Sequence, residues 1–359
     1  MKALHTITER RFVVVATGAR TPVGLRAPTS AAAVRAGICR HGFHPKMLDG
    51  AGDPLRFALD GRLDPEVYGT ARAESLALTA LRECLEPLAS RAPVPLSLWM
   101  GFPEERPGWL RTDTDAVMRV LTRELEGRAR LHDAMSVPLG HASGLVALEL
   151  ALRQLEGGHT CACVIGGVDT YLHPATLDWI DESRRLSTTA NRSGFVPGEA
   201  AGFVLITTDA TARAWGLPAL ATIRGVGTSV EPNTPGSGRA CTGEALTAAI
   251  ASATASLHLP QEKVATTYCD LNGERHRTEE LLYVPLRLPA PFVDANRHES
   301  PADAWGDVGA ASGPLYLCLA VASAERRYAR GPYVLAWASS DGGTRAAATL
   351  TLPHHESDP

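Results

Sequence analysis

Two stretches of this chain, LGHASGLVALELAL from Leu139 and VGAASGPLYLCLAV from Val308, share Gly, Ala, Ser, Gly and a leucine rhythm position for position. Each reads as a small-residue turn feeding a helix that is apolar over most of its girth, which predicts burial on every side. Each is followed by an apolar strand that breaks on glycine, CACVIGG after the first and YVLAWASSDGG after the second. A repeat at roughly 170 residues predicts two similarly folded halves. We place them at 1–215 and 216–352, with a polar tail at 353–359. Strands alternating with helices predict mainly parallel α/β layers, and two all-apolar helices predict a centre lying between two sheets.

The flanking segments fit that plan. FVVVA (Phe12 to Ala16) is a buried-type strand breaking into a Gly/Pro turn, and ALATIRGVGTSV (Ala219 to Val230) resembles it. Helices are expected over Thr29 to Gly37, Thr70 to Cys84, Thr114 to Leu125 and Thr242 to Leu257, and a strand over PLSLWMG. Residues 39–68, rich in Gly, Pro and Asp, read as an irregular surface excursion. GFVPGEAAGFVLITTD is a glycine-rich turn running into a strand, and TTYCDLNGE is a strand ending in a polar turn. The charged run NGERHRTEE (Asn272 to Glu280) reads as a solvated helix start.

A length of 359 residues allows a large core, and a net charge of −4 marks no nucleic-acid binder. No apolar run approaches the ~20 residues of a membrane span, and MKALHTITER carries charges where a signal peptide needs an apolar core. Seven cysteines without a CxxC pair predict reduced thiols and a cytoplasmic protein. Cys161 and Cys163, two apart in an apolar run, are expected to point the same way along a strand.

GFVPGEAAGFVLI resembles the GFVPGEGAG segment of β-ketoacyl-acyl-carrier-protein synthases. SVPLGHASGLVAL resembles their nucleophile elbow, WGDVGAASGPLYL their IGHTLGAAG segment, and SSDGGTRAA their GFGGTNA loop. The segments occur in order along nearly the whole chain. The resemblance implies an α/β protein of the thiolase fold, with duplicated βα halves stacked as five α/β/α/β/α layers. It also implies the site. The family's cysteine falls on His141, its two histidines on Asp270 and Asp307, and its gatekeeping phenylalanine on Asp341. Arg345 replaces the asparagine of GFGGTN, and Glu199 occupies the family's loop glutamate position.

These changes oppose condensation for independent reasons. An imidazole at His141 cannot hold a stable thioester, whereas a thiolate can. Ionised Asp270 and Asp307 only accept hydrogen bonds, and they repel a malonyl carboxylate and an enolate. His141 with a carboxylate also resembles a base and its orienting group, with Ser143 or Cys269 as nucleophile. Ser143 recurs as Ser312 in the repeat, which favours a packing role, and Cys269 reads as a buried thiol. His141 and the aspartates lack local metal-ligand spacing, so no metal and no cofactor is assigned. The leading reading is a satisfied polar knot of His141, Asp270, Asp307 and Arg345 filling a former acyl pocket. The resemblance then implies a non-condensing ketosynthase-like pseudoenzyme acting as an accessory or adaptor protein, in a homodimer or heterodimer. A likeness of GDVGAASG and SSDGG to ketosynthase-like proteins beside PAAR effectors of type VI secretion gives a secreted effector as partner. Three alternatives stay open. One is a chain-length-factor-like partner of an active ketosynthase. Another is an acyltransferase or hydrolase with His/Asp chemistry. The third is a binder of acyl-carrier-protein or coenzyme A thioesters without turnover.

Overall fold

The computed structural model describes residues 11–126 and 128–353. The charged segment 1–10 and all of the expected polar tail except Pro353 lie outside the described residues. The first half runs β1 (Phe12–Arg20), α1 (Ala27–Arg35), β2 (Gly42–Leu48), β3 (Pro54–Phe57), α2 (Gly69–Leu85), β4 (Pro95–Phe102), α3 (Arg111–Glu126), β5 (Arg130–Pro138), α4 (Ser143–Glu156), β6 (Ala162–Thr170), α5 (Pro174–Glu182), β7 (Glu199–Thr208) and α6 (Asp209–Ala214). The second runs β8 (Ala221–Val230), α7 (Glu244–Thr254), β9 (Thr266–Cys269), α8 (Arg275–Arg287), α9 (Ala302–Trp305), α10 (Ser312–Glu325), β10 (Tyr333–Ser339) and β11 (Thr344–Thr351).

The strands form one ladder in the order β5-β4-β6-β7-β1-β8-β11-β10-β9. Its two halves join where β1 meets β8 through three antiparallel residue pairs, Phe12 with Ile223, Val13 with Thr222 and Val14 with Ala221. The ladder closes over α4 and α10, each of which touches strands of both halves. Helices α2 and α3 cover the outside of the first half, and α7 packs outside β8 and β11 with α8 against it. Three apolar clusters fill the spaces between these five layers. The expected mainly parallel arrangement is corrected. Only β4–β5, β4–β6 and β9–β10 are parallel, while β7, β1, β8 and β11 run antiparallel to their neighbours. The reason is local: β7 and β11 each return beside the preceding strand instead of crossing over through a packed helix.

Both faces of β6 and β7 are covered, which explains their nearly continuous apolar sequence. Helix α10 buries every residue from Ser312 to Ala324. The repeated small residues let α4 and α10 touch. A Cβ on Gly144 would lie 2.3 Å from Pro314 Cδ, and one on Gly313 would lie 2.8 Å from Leu145 Cγ. The contact is reciprocal, as a duplicated core requires.

The halves differ at one edge. Strand β5 ends the sheet on the first side. In the second half the equivalent segment makes only isolated bridges, Phe292 to Val264 and Glu299 to Tyr268, which cover the edge of β9. Two smaller expectations are also corrected. Residues 39–68 are not wholly irregular, since β2 and β3 pair as a separate two-stranded sheet. Cys161 precedes β6 and is exposed, while Cys163 lies within it and is buried.

Candidate functional site

His141 sits in a single tight turn, Gly140–Ala142, that leads into α4. Gly140 takes a φ of 69°, a left-handed value that a side chain would strain. The repeat builds the matching turn, Gly309–Ala311, ahead of α10. Asp307 stands two residues before it, and Asp270 directly follows β9. The fold therefore brings His141, Asp270 and Asp307 to one place, and all three are buried.

His141 Nε2 lies 2.8 and 2.9 Å from the two oxygens of Asp307. Asp307 is further held by Tyr171 Oη at 3.2 Å, Asn272 Nδ2 at 2.6 Å and the Gly309 amide at 2.8 Å. The group that fills the centre is Arg277, in the first turn of α8. Its Nη1 donates to Asp270 Oδ2 at 2.7 Å and to the Ser339 carbonyl at 2.6 Å. Its Nη2 donates to Asp341 Oδ1 at 3.2 Å and lies 3.4 and 3.5 Å from the ring nitrogens of His141. Above it, Arg185 makes a fork onto Glu274, 2.7 and 2.9 Å, and reaches Asp341 Oδ2 at 2.7 Å. Asp341, with its side chain one-third exposed, faces solvent more than the others. Its turn is tied to Glu104, which accepts from the Gly342 amide at 3.0 Å.

The electrostatics follow from this packing. Burial disfavours charge on His141, but the Asp307 carboxylate outweighs it and raises the imidazole above its usual value. Burial likewise opposes ionisation of Asp307, yet His141 and Arg277 hold it well below the carboxylate range. Asp341 is depressed by Arg277 and Arg185 against the same burial, and Glu274 by Arg185. Asp270 goes the other way: burial wins over Arg277 and raises it. One of its oxygens, Oδ1, has no hydrogen-bond partner among the described residues.

The expected polar knot is thus present with a different arginine. Arg345 does not join it. It pairs with Glu280 at 2.6 Å and with the Ser340 carbonyl at 2.7 Å. The reading of Asn272 to Glu280 as a solvated helix start is corrected, because Glu274, Arg277 and Glu280 are all buried. The signal was available: residues 277, 280, 281, 284 and 288 follow a 3.6 period and form the inner face of α8. Arg185, in the loop after α5, carried no comparable signal.

The remaining candidates are placed as follows. The Ser143 hydroxyl lies under β4, where a Cβ on Gly101 would come within 2.5 Å of it, and it has no hydrogen-bond partner. Cys269 is buried against the Glu299 carbonyl and Ser300, and burial pushes its thiol up to about 12. Glu199 is fully buried. It pairs with Arg72, accepts from the Asp60 amide at 2.8 Å and from Thr170 Oγ1 at 3.1 Å, and thereby ties the loop before β7 to α2. A separate group, Glu231, Cys241 and Glu280, clusters beside Arg345. No helix among the described residues is long and apolar enough to cross a membrane.

The His141–Asp307 contact should make stability pH-dependent. The pKa of His141 is higher in the folded state, so its contribution is complete below the unfolded value of 6.5 and fades as pH rises through the folded value. Asp307 is depressed, so its contribution holds above 3.8 and is lost on acidification through its folded value. Urea unfolding from about pH 5 to about pH 9 is expected to show the wild-type advantage over His141→Asn shrinking with rising pH. A pH-independent difference would refute the ionic contact.

The family signature described as Beta-ketoacyl synthase, N-terminal domain, matches residues 134–212, which hold the first elbow and β7. No curated protein matches the chain in sequence. Among solved structures, the chain resembles a ketosynthase from module 6 of the bacillaene synthase of Bacillus subtilis 168, with a TM-score of 0.78 and 14% identity. That match covers 96% of this chain and 72% of that one. It also resembles the AntDE:AntF structure, a type II PKS acyl-carrier protein in complex with its ketosynthase, with a TM-score of 0.77 and 14% identity. There the coverage is 96% of this chain and 100% of that one. The ishigamide ketosynthase/chain length factor gives a TM-score of 0.72 at 22% identity, covering 96% of this chain and 100% of that one. The fold is that of the ketosynthases, the thiolase fold expected from the sequence.

Proposed function

We propose that this chain is a non-condensing, ketosynthase-like pseudoenzyme that works as an accessory or adaptor subunit through a protein partner. One observation carries the reading: the place of an elbow nucleophile is held by His141, buried and bound by both oxygens of Asp307 beneath Arg277. Its Nε2–H is a donor there, so Nε2 offers no lone pair for attack, and Arg277 Nη2 stands 3.5 Å from Nδ1. Neither Ser143 nor Cys269 supplies a substitute: Ser143 Oγ is packed against Gly101, and Cys269 Sγ lies against the Glu299 carbonyl and Ser300. Chains of the same fold are described in complex with an acyl-carrier protein or as a ketosynthase/chain length factor, which supports association with a partner.

Within this reading a secreted effector of a type VI system is the favoured partner. A chain-length partner of a ketosynthase needs an acyl channel with an apolar gate. At the gate position this chain has Asp341, bonded to Arg185 and Arg277. The opposing reading rests on the likeness to the ketosynthase/chain length factor. Either assembly has an open sheet edge available at β5, for a second copy or for a partner.

The test is twofold. Purified protein incubated with malonyl and acyl thioesters is expected to show no acyl transfer, condensation or hydrolysis above background. Turnover that disappears in His141→Ala would overturn the pseudoenzyme reading in favour of an acyltransferase or hydrolase. Copurification from the native host is expected to recover a secreted effector in stoichiometric amount. Recovery of an active ketosynthase would replace the effector reading with the chain-length one.

A further inference from the structure

A polar cavity that shares no lining residue with the ionic cluster lies beside β9, where the end of α1 meets the end of α10. It encloses about 270 Å³ and is lined by Arg35, Thr266, Tyr268, Glu299, Tyr328 and Arg330 over an apolar floor that includes Val34 and Leu319. The construction is specific. Arg35 is the last residue of α1, and its guanidinium carbon stands 4.3 Å above the Tyr328 ring. Tyr328 is delivered there by Arg327, which leaves α10 with a left-handed φ of 56°. Among the described residues Arg35 makes no ion pair or hydrogen bond through its side chain. Across the cavity, Arg330 Nη1 is held by Glu299 at 2.6 Å, and Glu299 is fixed in turn by backbone bonds to β9.

A guanidinium held over an aromatic ring by cation–π attraction gives up none of its N–H donors to that contact. Arg35 is therefore oriented without being neutralised. Arg330 has donors left after Glu299 takes one, because a guanidinium carries five. Two arginines against one carboxylate leave the lining net positive. The hydroxyls of Thr266, Tyr268 and Tyr328 add short donors, and Tyr268 is buried. Donors that converge on a small space, with an excess positive charge, match a tetrahedral or planar oxyanion. We propose that this cavity is a binding site for a compact phosphate- or carboxylate-bearing ligand, gripped between Arg35 and Arg330. The site is independent of the ionic cluster and of the pseudoenzyme reading.

Calorimetric titration with inorganic phosphate and, separately, with acetate at constant ionic strength tests it and decides which head group is preferred. Saturable binding is expected for at least one anion, weakened about tenfold or more in Arg35→Ala and again in Arg330→Gln. Tyr328→Leu removes the platform and is expected to weaken binding as Arg35→Ala does, whereas Tyr328→Phe keeps the platform and most of the affinity. The altered arginines are exposed, so unchanged thermal melting is the control for folding. Absence of saturable binding by both anions, or binding that Arg35→Ala and Arg330→Gln leave unchanged, would overturn the proposal.

Discussion

Arg277→Met is expected to lower the free energy of unfolding by about 3–5 kcal/mol, the usual cost of removing one partner from a buried ionic cluster. Arg277 is fully buried and is the one side chain that touches Asp270, Glu274, Asp341 and the His141 ring together. Methionine matches much of its length but offers no donor. Asp270 would keep only the Ser339 amide, at 2.7 Å, and the Ser339 carbonyl would lose its side-chain donor. The second variant in the argument is Asp270→Asn in the Arg277→Met background. It removes the carboxyl that burial already disfavours, and it is expected to recover part of the loss in urea unfolding. A loss below about 1 kcal/mol for Arg277→Met would mean that water reaches the carboxylates and that the cluster is not sealed.

His141→Cys is expected to yield no condensing enzyme, even though it places a thiol in the turn before α4. The obstacle is the company that thiol would keep. Condensation needs donors at the thioester oxygen as carbon dioxide leaves, and each such donor is worth about 10²–10³ in rate. On the proposed reading Asp307 and Asp270 stand at those two places, and an ionised carboxylate supplies no donor. Losing both therefore costs about 10⁴–10⁶ before any repulsion of the malonyl carboxylate is counted. The negative neighbours also disfavour the thiolate itself. The check is carbon dioxide release and ketoacyl product from malonyl and acyl thioesters, with iodoacetamide labelling to report the thiol. Product formation by His141→Cys alone would show that the carboxylates are harmless, and the assignment of the site would fail with it.

The parts legible in the sequence were those whose chemistry is dictated by burial. Helix α10 and strands β1, β6 and β10 have few polar residues because both sides are covered, and glycines mark where α4 and α10 touch. Elements at the margins were less legible. β5, RLHDAMSVP, mixes charges with apolar residues because it is an edge strand, and β11, TRAAATLT, is held by its neighbours β8 and β10 more than by its alanines. At the site, His141, Asp270 and Asp307 were legible through the repeat and the resemblance, since each follows or precedes a recognisable turn. Arg277 was masked by its surroundings: Arg275, Glu279 and Thr278 are exposed, and the inward charges lie among them in a run that looks uniformly polar. Assigning Arg345 to the knot failed because sequence order does not reveal which side of α8 a strand residue meets, and Glu280 claims it.

The unequal edges of the sheet bear on assembly. A sheet with two free borders can add strands from both directions and grow without limit, as fibres do. In this molecule the β9 border of the nine-stranded sheet is occupied by the chain's own Phe292 and Glu299 segments, so of that sheet's two borders only β5 is free for strand pairing. A complex built on that border terminates after a single addition. For self-association by strand pairing at this border, the chain itself sets the limit at two copies.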